Sequence, residues 1–163
     1  GTGSGQQSVT GLQASADPDC LWQVNAAMGE ECRRGEPVKC GQSIRLVHYS
    51  TSKLLHSHRH TSPLSNNQEV SAFDGQDAGD NWTVECVAAD SAGAAWRRET
   101  PVRLQHAETD MYLYASDAYM YGSPIRGQME VSAVSAPDDN TLWRSEVDIA
   151  LHAVPMTVLA DDQ

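Results

Sequence analysis

The sequence predicts an all-β domain, and three observations carry that prediction. The chain repeats at an interval of 61 residues. Val9, Val70 and Val131 sit in the similar strings Gln6-Gln7-Ser8-Val9-Thr10, Gln68-Glu69-Val70-Ser71-Ala72 and Met129-Glu130-Val131-Ser132-Ala133. A tryptophan follows each string in register, at Trp22, Trp82 and Trp143. The segments within the period alternate apolar and polar residues, as half-buried strands do. A long period found three times means one structural unit used three times. Four short strands per unit then give a closed β-trefoil with pseudo-threefold symmetry.

Individual elements follow from the same pattern. Ile44-Arg45-Leu46-Val47-His48 and its echo Val102-Arg103-Leu104-Gln105-His106 read as first strands of the second and third units. Glu69–Phe73 and Trp82–Cys86 alternate in the same way. Clusters rich in Ser, Pro, Asn, Asp and Gly separate them, at 62–67 and 74–80. The units span about 1–34, 35–92 and 93–148, with a C-terminal extension over 149–163. The first unit is incomplete, because the Ile44 and Leu54-Leu55-His56 segments project back to before residue 1. The expectation is that these strands exist in the natural protein, and the apolar stretch 149–159 could pack against the gap. The repeated Val and Trp residues are expected in the core.

Composition narrows the function. At 163 residues the chain is large enough for one domain with a real core. Its formal net charge of −11 disfavours nucleic acid, whose phosphates attract Lys and Arg, and disfavours anionic membrane surfaces. No apolar run is long enough to cross a bilayer, so no membrane insertion is expected. Cys40 precedes the first strand of the second unit and Cys86 ends its fourth. These strands are neighbours in a trefoil, so a Cys40–Cys86 disulfide is expected. Cys32 is read as the first-unit match of Cys86, and Cys20 as either free or paired with Cys32. Asn81-Trp82-Thr83 is an N-glycosylation sequon. Disulfide and sequon together favour an oxidising, secretory compartment.

The strings Gly3–Gly11, Lys39–Leu46, Leu55-His56-Ser57-His58, Ser62-Pro63-Leu64-Ser65 and Gln68–Phe73 resemble the MIR-domain proteins of the stromal cell-derived factor-two-like family. The resemblance covers roughly residues 1 to 147. It implies a trefoil of three MIR repeats in a protein of the endoplasmic reticulum lumen. It also implies a role in folding and quality control beside a J-domain co-chaperone, BiP and unfolded client proteins. The chain ends Leu159-Ala160-Asp161-Asp162-Gln163, which differs from a Lys/His-Asp-Glu-Leu retrieval signal. Retention would then rest on a partner.

Catalysis is not expected. There is no Gly-x-Ser-x-Gly elbow and no Gly-rich phosphate loop. Asp138-Asp139 and Asp161-Asp162 read as solvated charge. His56, His58 and His60 alternate, so an extended strand would aim all three at one face, a spacing that suits zinc. Ser62-Pro63 follows at once, however, which suggests a strand ending near His58. The histidines therefore read as hydrogen-bonded structural residues, with neither metal nor cofactor expected. An alternative to the chaperone role is a lectin-like module with shallow pockets between units. Candidate binding residues are His56, His58, Arg59, Gln68 and Glu69 in the second unit. In the third they are Tyr119, Tyr121, Arg126, Gln128 and Glu130. The competing reading of Gln68-Glu69 and its third-unit counterparts is that they satisfy backbone groups at a turn.

Overall fold

A computed structural model describes residues 3–12, 17–88, 92–98 and 100–146. The extension expected over 149–163 lies outside these residues. The described chain forms ten strands: β1 (Gln7–Ser8), β2 (Thr10–Gly11), β3 (Trp22–Ala26), β4 (Ser43–His48), β5 (Leu54–Thr61), β6 (Gln68–Phe73), β7 (Trp82–Cys86), β8 (Val102–His106), β9 (Tyr112–Met120) and β10 (Met129–Val134). No α-helix occurs among the described residues; three short 3₁₀ turns do. All strand pairings are antiparallel.

Seven strands close on themselves. The order runs β6-β5-β4-β7-β8-β9-β10, and β10 pairs back to β6 with Ser132 opposite Glu69. β3 adds to β4, β1 to β6 and β2 to β10. Closure leaves a barrel-like sheet whose inner face collects Ile44, Leu55, Val70, Trp82, Val84, Val102, Leu104, Leu113 and Val131 into one core. The alternation read from the sequence is what supplies this face, since side chains at every second position point inward.

The repeat is visible in the pairing register. Trp22 faces His48 and Ala26 faces Ile44; Trp82 faces His106 and Cys86 faces Val102. Val47 opposite Leu54 is matched by Gln105 opposite Tyr112. The indole N–H of Trp82 donates to the Leu55 carbonyl at 3.0 Å, and that of Trp143 donates to the Leu113 carbonyl at 2.9 Å. A capped turn precedes each of Trp22, Trp82 and Trp143. Asp17, Asp77 and Asp138 accept from the backbone N–H of Asp19, Gly79 and Asn140 respectively, which fixes the chain direction into the strand. Asp138 and Asp139 are exposed, as expected of solvated charge, and Asp138 in addition caps the turn.

Burial is uneven among the repeated residues. Trp82 is fully buried because β7 is paired on both sides, to β4 and β8. Trp22, Trp143 and Val9 pack on the core but remain partly exposed. Register also corrects the cysteine assignment: the first-repeat match of Cys86 is Ala26, not Cys32. Cys20 stands where Asp80 and Thr141 stand, as third residue of the 3₁₀ turn. Both Cys20 and Cys32 are exposed free thiols. Burial, then the nearby Asp17 and Asp19 carboxylates, push the Cys20 thiol above its ordinary range.

Cys40 and Cys86 are disulfide-bonded, with Cα atoms 5.5 Å apart. The pairing of β4 with β7, Ser43 opposite Thr83, brings them together. The bond closes a loop of 46 residues, worth about 4 kcal/mol in the chain-entropy model. Reduction should lower the unfolding free energy by that order, read by urea denaturation with and without reductant. Non-reducing peptide mapping should join the Cys40 and Cys86 peptides. Truncating Trp82 to alanine should cost about 3–5 kcal/mol in the same assay. Trp143→Ala should cost less, since part of that ring remains in solvent.

Candidate functional site

The two glutamates singled out by sequence occupy equivalent, interior positions. Glu69 and Glu130 are 1% and 2% exposed. The Glu130 carboxylate accepts from the backbone N–H groups of Leu64 at 2.6 Å and Ser65 at 3.2 Å. It also accepts from the hydroxyls of Ser62 at 3.1 Å and Ser65 at 2.5 Å. A carboxylate of the third repeat thus fastens the Ser62–Ser65 turn of the second. Glu69 does the same one repeat earlier, accepting from the Ser4 hydroxyl at 2.5 Å. Both carboxylates are committed to turns and are shielded from a ligand in solvent.

The histidine row lies on β5. That strand runs through Thr61, so the expected break near His58 does not occur; the bulge between Ser57 and Thr61 absorbs the turn. His56 is buried, and its Nδ1 lies 2.8 Å from Asp80 Oδ1 and 3.5 Å from Asp77 Oδ1. His58 Nε2 lies 2.7 Å from Glu69 Oε1. Ring centroids are 5.0 Å apart for His56–His58 and 4.5 Å for His58–His60. Gly79 is required beside them, because a Cβ there would sit 2.5 Å from His56 Cε1 and 2.9 Å from the Ser57 carbonyl. The carboxylates that complete this cluster come from the 3₁₀ turn and from β6. Their separation from the histidines along the chain hides them.

Two further histidines, not among the sequence candidates, sit at the seams between repeats. His48 packs against Trp22 in a tilted contact with centroids 4.8 Å apart, and His106 against Trp82 in a T-shaped one at 4.9 Å. In each, Nε2 donates to a turn carbonyl: Asp19 O at 2.7 Å and Gly79 O at 2.8 Å. In each, Nδ1 meets a threonine hydroxyl: Thr51 at 2.8 Å and Thr109 at 2.7 Å. The matching His at the ends of the two first strands was the available signal.

A cleft of about 390 Å³ opens between the second and third repeats. It is lined by Asn66, Asn67 and Gln68 on one side and by Met111, Tyr114, Tyr119 and Asp138 on the other. Tyr114 and Tyr119 stand 6.5 Å apart, centroid to centroid. Gln68 is held in place by donating to Ser57 Oγ and Thr109 Oγ1, each at 2.8 Å. Only Gln68 and Tyr119 of the ten sequence candidates line this cleft. Arg59 and Arg126 are exposed elsewhere. Gln128 accepts from the Thr10 hydroxyl, and Tyr121 is half-buried. Burial, then the Glu130 and Glu69 carboxylates, push the Tyr121 hydroxyl above its ordinary range. Asn81 of the sequon is half-buried, with Oδ1 accepting from the Met28 N–H at 2.9 Å.

The MIR domain model matches residues 2–81. The chain is 45% identical over 158 residues to bovine stromal cell-derived factor 2-like protein 1, covering 95% of this chain and 69% of that protein. Identity to the human protein of the same name is 47% over 148 residues, covering 89% and 64%. The chain thus spans about two thirds of the length of these relatives. Among solved structures, the SDF2-like protein from Arabidopsis thaliana superposes with a TM-score of 0.81 at 39% identity, covering 88% of this chain and 79% of that one. The S. cerevisiae protein O-mannosyltransferase Pmt1-Pmt2 complex bound to the sugar donor matches with a TM-score of 0.73 at 27% identity, covering 99% and 23%. The chain belongs to the stromal cell-derived factor 2-like family.

His106 gives a pH prediction. Burial, opposed by the Gly79 carbonyl and the Glu108 carboxylate, lowers its pKa below the ordinary value; His56 lowers it further and Asp80 opposes. The unfolded chain therefore binds a proton at a pH where the folded chain does not. The stability involved is fully present above the unfolded pKa of about 6.5 and is lost as pH falls below it, by at most about 1.4 kcal/mol per pH unit. An NMR titration should place the His106 midpoint below that of a free histidine. A midpoint above it would refute the assignment.

Proposed function

We propose that this chain is a β-trefoil of three MIR repeats that acts by binding and not by turnover, in folding and quality control within the endoplasmic reticulum lumen. Its partners would be a lumenal J-domain co-chaperone, BiP and unfolded clients. The observation carrying this reading is family membership over nearly the whole chain, among relatives whose names denote no enzyme. The Cys40–Cys86 disulfide supports an oxidising compartment, where such bonds persist. With 22 acidic against 11 basic residues, the surface suits a partner patch that carries basic groups.

A second reading is favoured by the cleft between the second and third repeats. Tyr114 and Tyr119 offer aromatic faces, and Asn66, Asn67 and Asp138 offer polar groups at its wall. That combination suits a sugar ring, which has apolar faces and a hydroxyl rim. The likeness to a protein O-mannosyltransferase complex bound to its sugar donor fits the same reading.

Purified J-domain co-chaperone should bind the immobilised full-length protein, with association slowing as salt shortens the screening length to about 10 Å at 0.1 M. Tyr119→Ala should leave that binding unchanged. If no chaperone component bound at either low or moderate salt, and one glycan bound saturably and was lost in Tyr119→Ala, the lectin reading would replace the first.

A further inference from the structure

The repeats act as internal controls for one another, and against them the histidine row of the second repeat stands out. Glu69 and Glu130 share the turn-fastening role, yet only Glu69 also holds an imidazole, His58 at 2.7 Å. Register places Tyr114 and Ala115 of β9 where β5 has His56 and Ser57, and β9 contains no histidine. Thr141 stands where Asp80 contacts His56. The capped turn forms without Asp80, and the fastened turn forms without His58. Neither the row nor its carboxylates' contacts to it are needed to build a repeat.

The geometry points to a divalent transition-metal site formed by His58 and His60, with Glu69 as the positioning carboxylate. Glu69 can only accept, so the His58 proton resides on Nε2 and the neutral ring keeps its lone pair on Nδ1. An imidazole whose second nitrogen donates to a carboxylate is the usual arrangement behind a metal-bound histidine; it fixes the tautomer and raises ligand basicity. Glu69 is 1% exposed and held by Ser4 as well, so it cannot swing out to become the ligand itself. His58 is partly exposed and His60 exposed, which leaves an open approach and room for water to complete the coordination. Two imidazoles on one tetrahedral zinc, at Zn–N of about 2.0–2.1 Å, place their ring centroids about 5 Å apart. The observed 4.5 Å, at an interplanar angle of 66°, is close to that spacing. All-imidazole donation selects zinc, copper(II) or nickel(II) over calcium and magnesium.

Zinc chloride titrated into the metal-free, disulfide-intact full chain tests this, read by calorimetry and by ¹⁵N shifts of the imidazole nitrogens. One zinc per chain should bind, moving the His58 and His60 ring signals. His58→Ala and His60→Ala should each weaken binding at least tenfold while leaving the thermal midpoint unchanged within a few degrees. Glu69→Gln, in which the amide oxygen in place of Oε1 still accepts from both Ser4 and His58 but carries no charge, should weaken zinc by about 10–100-fold through the lost basicity of His58. Magnesium should move neither ring. The proposal is overturned if zinc at millimolar concentration leaves both rings unmoved. It is equally overturned if the double variant His58→Ala/His60→Ala binds as before, which would place the ion elsewhere, at the His56, Asp77 and Asp80 group or on an exposed thiol.

Discussion

The pairing of β6 with β10, Ser132 opposite Glu69, closes the seven-strand ring, and much else in the structure answers to that closure. It sets the start of β6, with Gln68 and Glu69, opposite Ala133 and Ser132 in the later half of β10. Each of the two strands carries a glutamate near its start, and both carboxylates lie where water does not reach. A buried charge is tolerable only where hydrogen bonds replace hydration. The turns Gly3–Ser4 and Ser62–Ser65 supply them, and in return are held against the neighbouring repeat. Repeats are thus joined by charge-assisted hydrogen bonds at one end and by tryptophan–histidine contacts at the seams.

The seams explain why stability is unevenly placed. β7 lies between β4 and β8, so Trp82 has neighbours on every side and His106 covers one face of it. The disulfide ties the far end of the same strand to the segment that precedes β4. The second repeat is therefore the best-anchored part of the described chain. The histidine row is displayed beside it on β5, where His58 and His60 fall within the register shift between Ser57 and Thr61.

The cleft and the histidine row lie in different surroundings and ask for different chemistry. Tyrosine rings and amides line the cleft, while two buried carboxylates back the row. A fold built from repeated units allows this, because a substitution in one copy need not disturb the packing shared by all three. Tyr114 in one repeat and His56 in another occupy the same position with different partners.

The 61-residue period, the apolar alternation and the Val and Trp registers determined the all-β class, the strands β4, β6, β7 and β8 and the Cys40–Cys86 pair. These are properties of local pattern and of one interval, so a linear reading reaches them. Partners met across the ring were decided only in three dimensions. Glu69 reaches Ser4 from 65 residues away, Asp80 meets His56, and Asn66 and Tyr119 come to line one cleft. The end of β5 and the first-repeat match of Cys86 were misjudged for a related reason. A bulge or a long loop shifts register without changing composition, and only the hydrogen-bond ladder reveals the shift.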